Sequence, residues 1–195
     1  MSKARWDVIV IGGGVVGCAI TRRFAHAGAK TLLLERGGDI LSDASKANSA
    51  ILHTGFDAPP GSLEVACMQA GYREYLDIHA QLNLPVLKTA ALVVAWNEEQ
   101  VVQLGGIVSK AHKNRIDDAK QISRQDLRNR EAGLSATALG AVEVPREYVI
   151  DPWSAPLAYL KQAVRAGAEF KFNTEVKSGA FDGKNWQLDT GHEQF

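Results

Sequence analysis

Six residues, Gly12-Gly13-Gly14-Val15-Val16-Gly17, constrain this chain more than any other feature. They contain the spacing G-x-G-x-x-G, which alone is a weak signal that occurs by chance in loops. The context makes it specific. Residues 6–11 are nearly all apolar, the pattern of a short strand buried on both faces of a parallel sheet. Residues 15–27 read as a helix stopped by Gly28, and residues 30–35 as a second buried strand closing on Glu35. Strand, helix and strand in so short a span make a βαβ unit. In such a turn Gly12 permits the tight bend, Gly14 lets the backbone approach a pyrophosphate, and Gly17 lets the helix lie against the strand. The helix N-terminus then presents N–H groups and about half a positive charge to the phosphates. Glu35, roughly 20 residues further on, is placed to accept hydrogen bonds from the adenosine ribose hydroxyls and repels a 2′-phosphate, which argues against NADP. Arg36 is expected to stack near the adenine or to point to solvent.

With 195 residues the chain is long enough for one ordinary domain, or one and a half small ones, with a genuine core. Its 22 basic and 22 acidic residues cancel, so there is no electrostatic footprint for nucleic acid. Lys3, Arg5, Arg22 and Arg23 cluster near the start and read as solvated flanks of a strand and a helix. Cys18 and Cys67 have neither the number nor the spacing of a disulfide framework or metal site, so a reducing compartment is expected. No histidine pair has metal-ligand spacing with a third partner, so no metal is expected. The apolar run at 8–20 superficially imitates a secretory signal. Four glycines interrupt it, Asp7 precedes it and Arg22 and Arg23 follow, so a cytoplasmic protein is expected, with a peripheral place at the inner membrane face as a variant.

Residues 37–61 are irregular and rich in Gly, Ser, Asp, Asn and Pro, a length uncommon in a compact domain unless it has work to do. Ser62 is a plausible N-cap for a helix reaching about Leu82. Strands are expected at 86–88, 90–95 and 141–145, and helices at 98–113 and 124–130, forming an inserted antiparallel-looking block. Asp151-Pro152 opens a helix to about Ala166, with Pro152 in its first turn. Strands at 168–172, 175–178 and 186–188 follow. The expected class is α/β, a Rossmann-like dinucleotide-binding domain with a parallel sheet and an inserted, incomplete α+β region. Its segments would be 1–83, 84–147 and 148–195.

At this point the residues resemble the FAD-dependent oxidoreductases of the D-amino-acid-oxidase type, a family that includes glycerol-3-phosphate dehydrogenases and L-2-hydroxyglutarate oxidases. Gly12, Gly14, Gly17, Gly28 and Glu35 match the family's opening, and Thr21 stands where a small Ala or Gly is usual, which predicts looser packing of helix on strand. The stretch Ser45-Lys46-Ala47-Asn48-Ser49-Ala50-Ile51-Leu52-His53-Thr54-Gly55 is similar to the loop that in relatives wraps the pyrophosphate and runs under the flavin. Ala50 replaces a glycine common there. Val144-Pro145 through Tyr148-Val149-Ile150-Asp151-Pro152 looks like the return to the cofactor domain. The resemblance implies FAD as cofactor, held by the segment from Gly12 to Gly17 with Glu35, Arg36, Ser45, Lys46, Asn48 and Ser49, and by the Val176 backbone at the adenine.

The resemblance also places His53 beside the flavin, where an imidazole suits the role of a base. Three roles stay open: base or substrate contact, a structural hydrogen bond to the loop, or a covalent flavin link. Asp117 and Asp118 read as solvated turn residues, Trp96 and Trp153 as packing, with flavin stacking as the alternative. Arg115, Arg124 and Arg146 read as surface charge, with anion binding as the alternative. The implied function is oxidation of the CH–OH group of a small anionic substrate, glycerol 3-phosphate first and L-2-hydroxyglutarate second, with oxygen, a quinone or a protein as electron acceptor. An NAD-dependent dehydrogenase is disfavoured because it has no use for the loop at 42–55. Relatives continue well beyond this length, so the other expectation is an inactive fragment, or an FAD-binding subunit completed by a second chain.

Overall fold

A computed structural model describes residues 5–195; Lys3 of the basic cluster lies outside them. The chain forms two compact units, residues up to Ser49 with Asp151–Phe195, and Ala50–Ile150.

In the first unit, strand β1 (Val8–Ile11) leads through the glycine turn into helix α1 (Val15–His26) and returns as β2 (Thr31–Leu34). β1 pairs with β2 in parallel, from Val8 opposite Thr31 to Ile11 opposite Leu34. β2 is fully buried because it is the middle strand: its other edge pairs in parallel with β9 (Glu169–Lys171). Helix α5 (Ser154–Arg165) feeds β9 and lies on α1, where Ala25, Ala163 and Ala168 allow close approach and Arg22 Nε donates to Gln162 Oε1 at 2.6 Å. A hairpin of β10 (Ser178–Phe181) and β11 (Trp186–Asp189) closes the unit, with Leu188 packed on Leu32 and Leu34.

The second unit begins at β3 (Ile51–Leu52), which pairs antiparallel with β8 (Tyr148–Ile150); β8 also takes β4 (Val86–Leu87). Helix α2 (Leu63–Ile78) starts where expected, with Val65 N–H donating to Ser62 Oγ at 3.2 Å. A second antiparallel sheet, in the order β5-β7-β6, comprises β5 (Ala91–Ala95), β6 (Lys120–Ser123) and β7 (Gly140–Val144). Helices α3 (Glu98–Lys113) and α4 (Arg124–Arg130) pack on it, each capped by its preceding residue, Asn97 and Ser123. Leu104, Ala111, Val142 and Val144 fill the core between α3 and the sheet.

The α/β class, the parallel sheet and the antiparallel insertion agree with the sequence. The boundaries fall at 49/50 and 150/151 rather than at 83/84 and 147/148, because β3 and β8 pair and carry 50–83 into the second unit. α2 ends at Ile78, four residues short of the expected stop, in a turn where Leu84 N–H returns to His79 carbonyl. α5 begins two residues after Pro152. Asp151 instead accepts from Trp153 N–H and Ser154 Oγ, and Pro156 occupies the first turn, where a missing N–H costs nothing. The expected strand at 175–178 forms as Ser178–Phe181, three residues later.

Candidate functional site

The glycine turn leaves its backbone open to close approach. Gly12 has φ +103°, a conformation that side chains resist. A Cβ on Gly17 would lie 1.9 Å from Gly12 carbonyl oxygen, so α1 can lie this close to the turn only with glycine there. The first bond inside α1 runs from Cys18 N–H to Gly14 carbonyl, so the amides of Val15, Val16 and Gly17 precede the helical ladder. Val15 and Val16 are exposed at this end. Glu35 is buried beside the turn: Oε2 accepts from Gly13 N–H at 2.5 Å and Oε1 from Gly37 N–H at 2.6 Å. Each carboxylate oxygen has two acceptor positions, and the two glycine amides fill one on each. Cys18, at the back of the turn, has its thiol pushed up to about 11 by burial and then by the Glu35 charge.

Thr21 does not loosen this packing. It is fully buried and its hydroxyl donates to Gly17 carbonyl at 2.7 Å, within the helix.

The following segment comes back onto the turn. A 3₁₀ turn at Ala44–Lys46 sets Ser45 Oγ to accept from Val15 N–H at 3.1 Å, a helix cap supplied from 30 residues away. Asn48 Nδ2 donates to Ser45 carbonyl, and the indole of Trp153 donates to Lys46 carbonyl at 3.0 Å. Trp153 is therefore an exposed clamp on this loop rather than core packing, and Trp96 is likewise exposed. Ser49 is exposed at the end of the unit. The Arg36 guanidinium pairs with Asp43. Val176 packs against the cluster of Leu32, Leu34 and Leu188, two residues beyond Thr174, whose N–H donates to Glu35 carbonyl. The structure thus sets Glu35 and Ser45 against the glycine turn, with Lys46 and Asn48 flanking Ser45 and Val176 packed on the strand that leads into Glu35.

His53 belongs to the second unit. Its Nδ1 is 2.9 Å from Oε2 of Glu147, a carboxylate buried at the turn between β7 and β8. Glu147 Oε1 accepts from both Thr54 N–H (2.5 Å) and Thr54 Oγ1 (2.6 Å). Nearby, the Tyr72 phenol donates to Arg146 carbonyl at 2.9 Å; burial, then Tyr148, pushes its pKa well above the ordinary value, so the donor proton stays on. Arg146 makes a bidentate pair with Asp118 at 2.8 and 2.7 Å, so Asp118 is an ion-pair partner rather than a solvated turn residue. Arg124 donates to Ala136 carbonyl. Glu147 escaped the sequence reading because a charged residue between two short strands looks like a surface turn. Its one signal is its place inside the matched stretch from Val144 to Pro152. Among the described residues, no three His, Cys, Asp or Glu side chains come together as a metal cluster, and no helix is long and apolar enough to cross a membrane.

Residues 7–195 match the family model described as DAO, FAD dependent oxidoreductase. The chain belongs to this family. As a member of the FAD dependent oxidoreductases it is 28% identical over 171 residues to a glycerol 3-phosphate dehydrogenase of Caloramator mitchellensis, covering 88% of this chain and 36% of that protein. It is 29% identical over 148 residues to an L-2-hydroxyglutarate dehydrogenase of Indibacter alkaliphilus, covering 75% and 37%. Among solved structures, the L-alpha-glycerophosphate oxidase of Mycoplasma pneumoniae with FAD bound superposes with a TM-score of 0.88 at 25% identity, over 96% of this chain and 50% of that one. A glycine oxidase of Geobacillus kaustophilus has a TM-score of 0.89 at 22% identity, a likeness of fold. This member of the family thus spans between about a third and about a half of the length of these relatives.

Proposed function

We propose that the protein oxidises the CH–OH group of a small anionic substrate with FAD, glycerol 3-phosphate being the first candidate and L-2-hydroxyglutarate the second. The observation that carries this reading is the glycine turn closed against α1 with the Glu35 carboxylate beside it. These residues fit a dinucleotide. Gly12 to Gly17 and the α1 amides would hold the pyrophosphate, Glu35 the adenosine ribose, and Ser45, Lys46, Asn48 and Ser49 the outer side of the phosphates. Val176 would meet the adenine through its backbone, with Arg36 near it. When bound, the flavin supplies a two-electron acceptor for the hydrogen leaving the carbinol carbon. The family resemblance implies that His53 lies beside the flavin, where its exposed edge would take the hydroxyl proton as the carbonyl forms. The order of candidates follows the relatives, a glycerol 3-phosphate dehydrogenase first and an L-2-hydroxyglutarate dehydrogenase after it. We assign the electron acceptor to oxygen, a quinone or a partner protein, and the location to the cytoplasm or its membrane face.

A second reading is favoured by one observation: the chain covers 36% of the dehydrogenase it resembles. On that reading this stretch holds FAD and a further polypeptide segment, in the same or a second chain, completes the substrate pocket. Purification followed by flavin absorption, then dye reduction with each substrate, separates these. Flavin with turnover on glycerol 3-phosphate supports the first reading, and flavin without turnover supports the second. A colourless protein that takes up no FAD but binds NAD would remove both.

A further inference from the structure

We propose that Glu147 is the positioning residue of His53, locking its ring as the Nδ1–H tautomer and leaving Nε2 as the proton acceptor. The assignment rests on reading His53 as the base, and concerns only the Ala50–Ile150 unit. Four observations carry it. Glu147 is a carboxylate with a side chain only 2% exposed, and a buried charge persists only where donors meet it. Its Oε1 is occupied by two donors from Thr54, which fixes the carboxylate in place. Its other oxygen, Oε2, stands 2.9 Å from His53 Nδ1. That ring nitrogen is shielded from solvent and has no aligned hydrogen-bond partner among the described residues, so the Glu147 oxygen is what remains to satisfy it after a small ring rotation.

The side chain of His53 is 37% exposed although Nδ1 is shielded, so the opposite edge of the ring is the accessible one. A carboxylate can only accept, so it selects the tautomer with the proton on Nδ1. Nε2 then carries a lone pair toward the open side. When Nε2 takes a hydroxyl proton, the O–H bond breaks, an N–H bond forms, and the resulting imidazolium lies against the Glu147 charge. The other charged or titratable groups of this corner are accounted for: Tyr72 donates to the Arg146 carbonyl, Tyr148 stacks near Tyr72, Lys88 lies over the Tyr148 ring, and Arg146 is held by Asp118. None of these contacts involves Nδ1.

The test is nitrogen-15 NMR of the imidazoles in the purified chain, at a pH where the rings are neutral, with His53 assigned from the signals lost in His53→Gln. The expected spectrum of His53 has a pyrrole-type Nδ1 and a pyridine-type Nε2. Glu147→Gln keeps an acceptor oxygen for Thr54 but turns an amide donor toward Nδ1, so the two signals should exchange character. A wild-type Nε2–H tautomer would overturn the proposal with no variant needed, as would a Glu147→Gln spectrum unchanged at His53 with the amide dispersion retained. If the chain turns over, Glu147→Gln should cut kcat roughly a hundredfold with KM little changed. A tautomer switch accompanied by undiminished turnover in His53→Gln would leave the Glu147 assignment standing and remove His53 as the base.

Discussion

The glycine that matters most here is Gly17, because its cost is steric rather than conformational. A methyl group there meets a backbone oxygen at 1.9 Å, and backbone cannot rotate away as a side chain can. Gly17→Ala must push α1 off the turn, at about 1–3 kcal/mol of stability. It should also lower FAD retention at least tenfold, read by flavin fluorescence after gel filtration. Ala50 shows the opposite situation: its φ of +56° is a left-handed conformation that favours glycine, so its cost is conformational rather than steric. Cys18 and Cys67 differ for a third reason, burial. Cys18 is held as a thiol by its surroundings, while Cys67 is exposed on α2. In the native protein a maleimide should label one thiol quickly, and peptide mapping should find it at Cys67; rapid labelling of Cys18 would contradict the buried turn.

Elements defined by their own periodicity were legible in the sequence, and those defined by a distant partner were not. α3 was expected at 98–113 and forms there, since its cap and apolar stripe are local. β6, Lys-Gln-Ile-Ser, has a single apolar residue and is a strand only because β7 pairs with it. β3 was hidden in the long loop for the same reason, its partner β8 being about a hundred residues away. The candidate site divides likewise: the glycine turn and Glu35 are written within one βαβ unit, whereas Glu147 joins His53 only through folding. The Asp118–Arg146 pair ties the segment after α3 to the turn before β8, and it makes this link sensitive to acid. Arg146, through its hydrogen bond, holds the Asp118 carboxyl below the usual range. A depressed folded value means the stabilisation is present at neutral pH and is lost as pH falls below about 4. Both groups are more than one-third exposed, so the effect is small after screening, about 0.5–1 kcal/mol. Asp118→Asn should therefore lower Tm by about 2 °C at neutral pH and by progressively less under acid. An unchanged difference at low pH would show that the pair contributes nothing as an ion pair.

At the scale of the molecule, one unit is continuous in the chain and the other is not. The nucleotide unit draws β1, α1 and β2 from before residue 50, and α5 and β9 from after residue 150. α1 has no neighbouring helix until α5 exists, and β2 has an open side until β9 arrives. A ribosome delivers the chain from its N-terminus, and domains tend to fold as their residues emerge. The stretch from Ala50 to Ile150 is therefore able to settle first, while the earlier-made glycine turn waits for residues still inside the tunnel. Nascent chains arrested shortly after residue 150 emerges should resist protease within 50–150 and be cut within α1, and protection of α1 should appear only once residue 171 has cleared the exit tunnel. The oldest part of the polypeptide would then be the last to become able to capture its nucleotide.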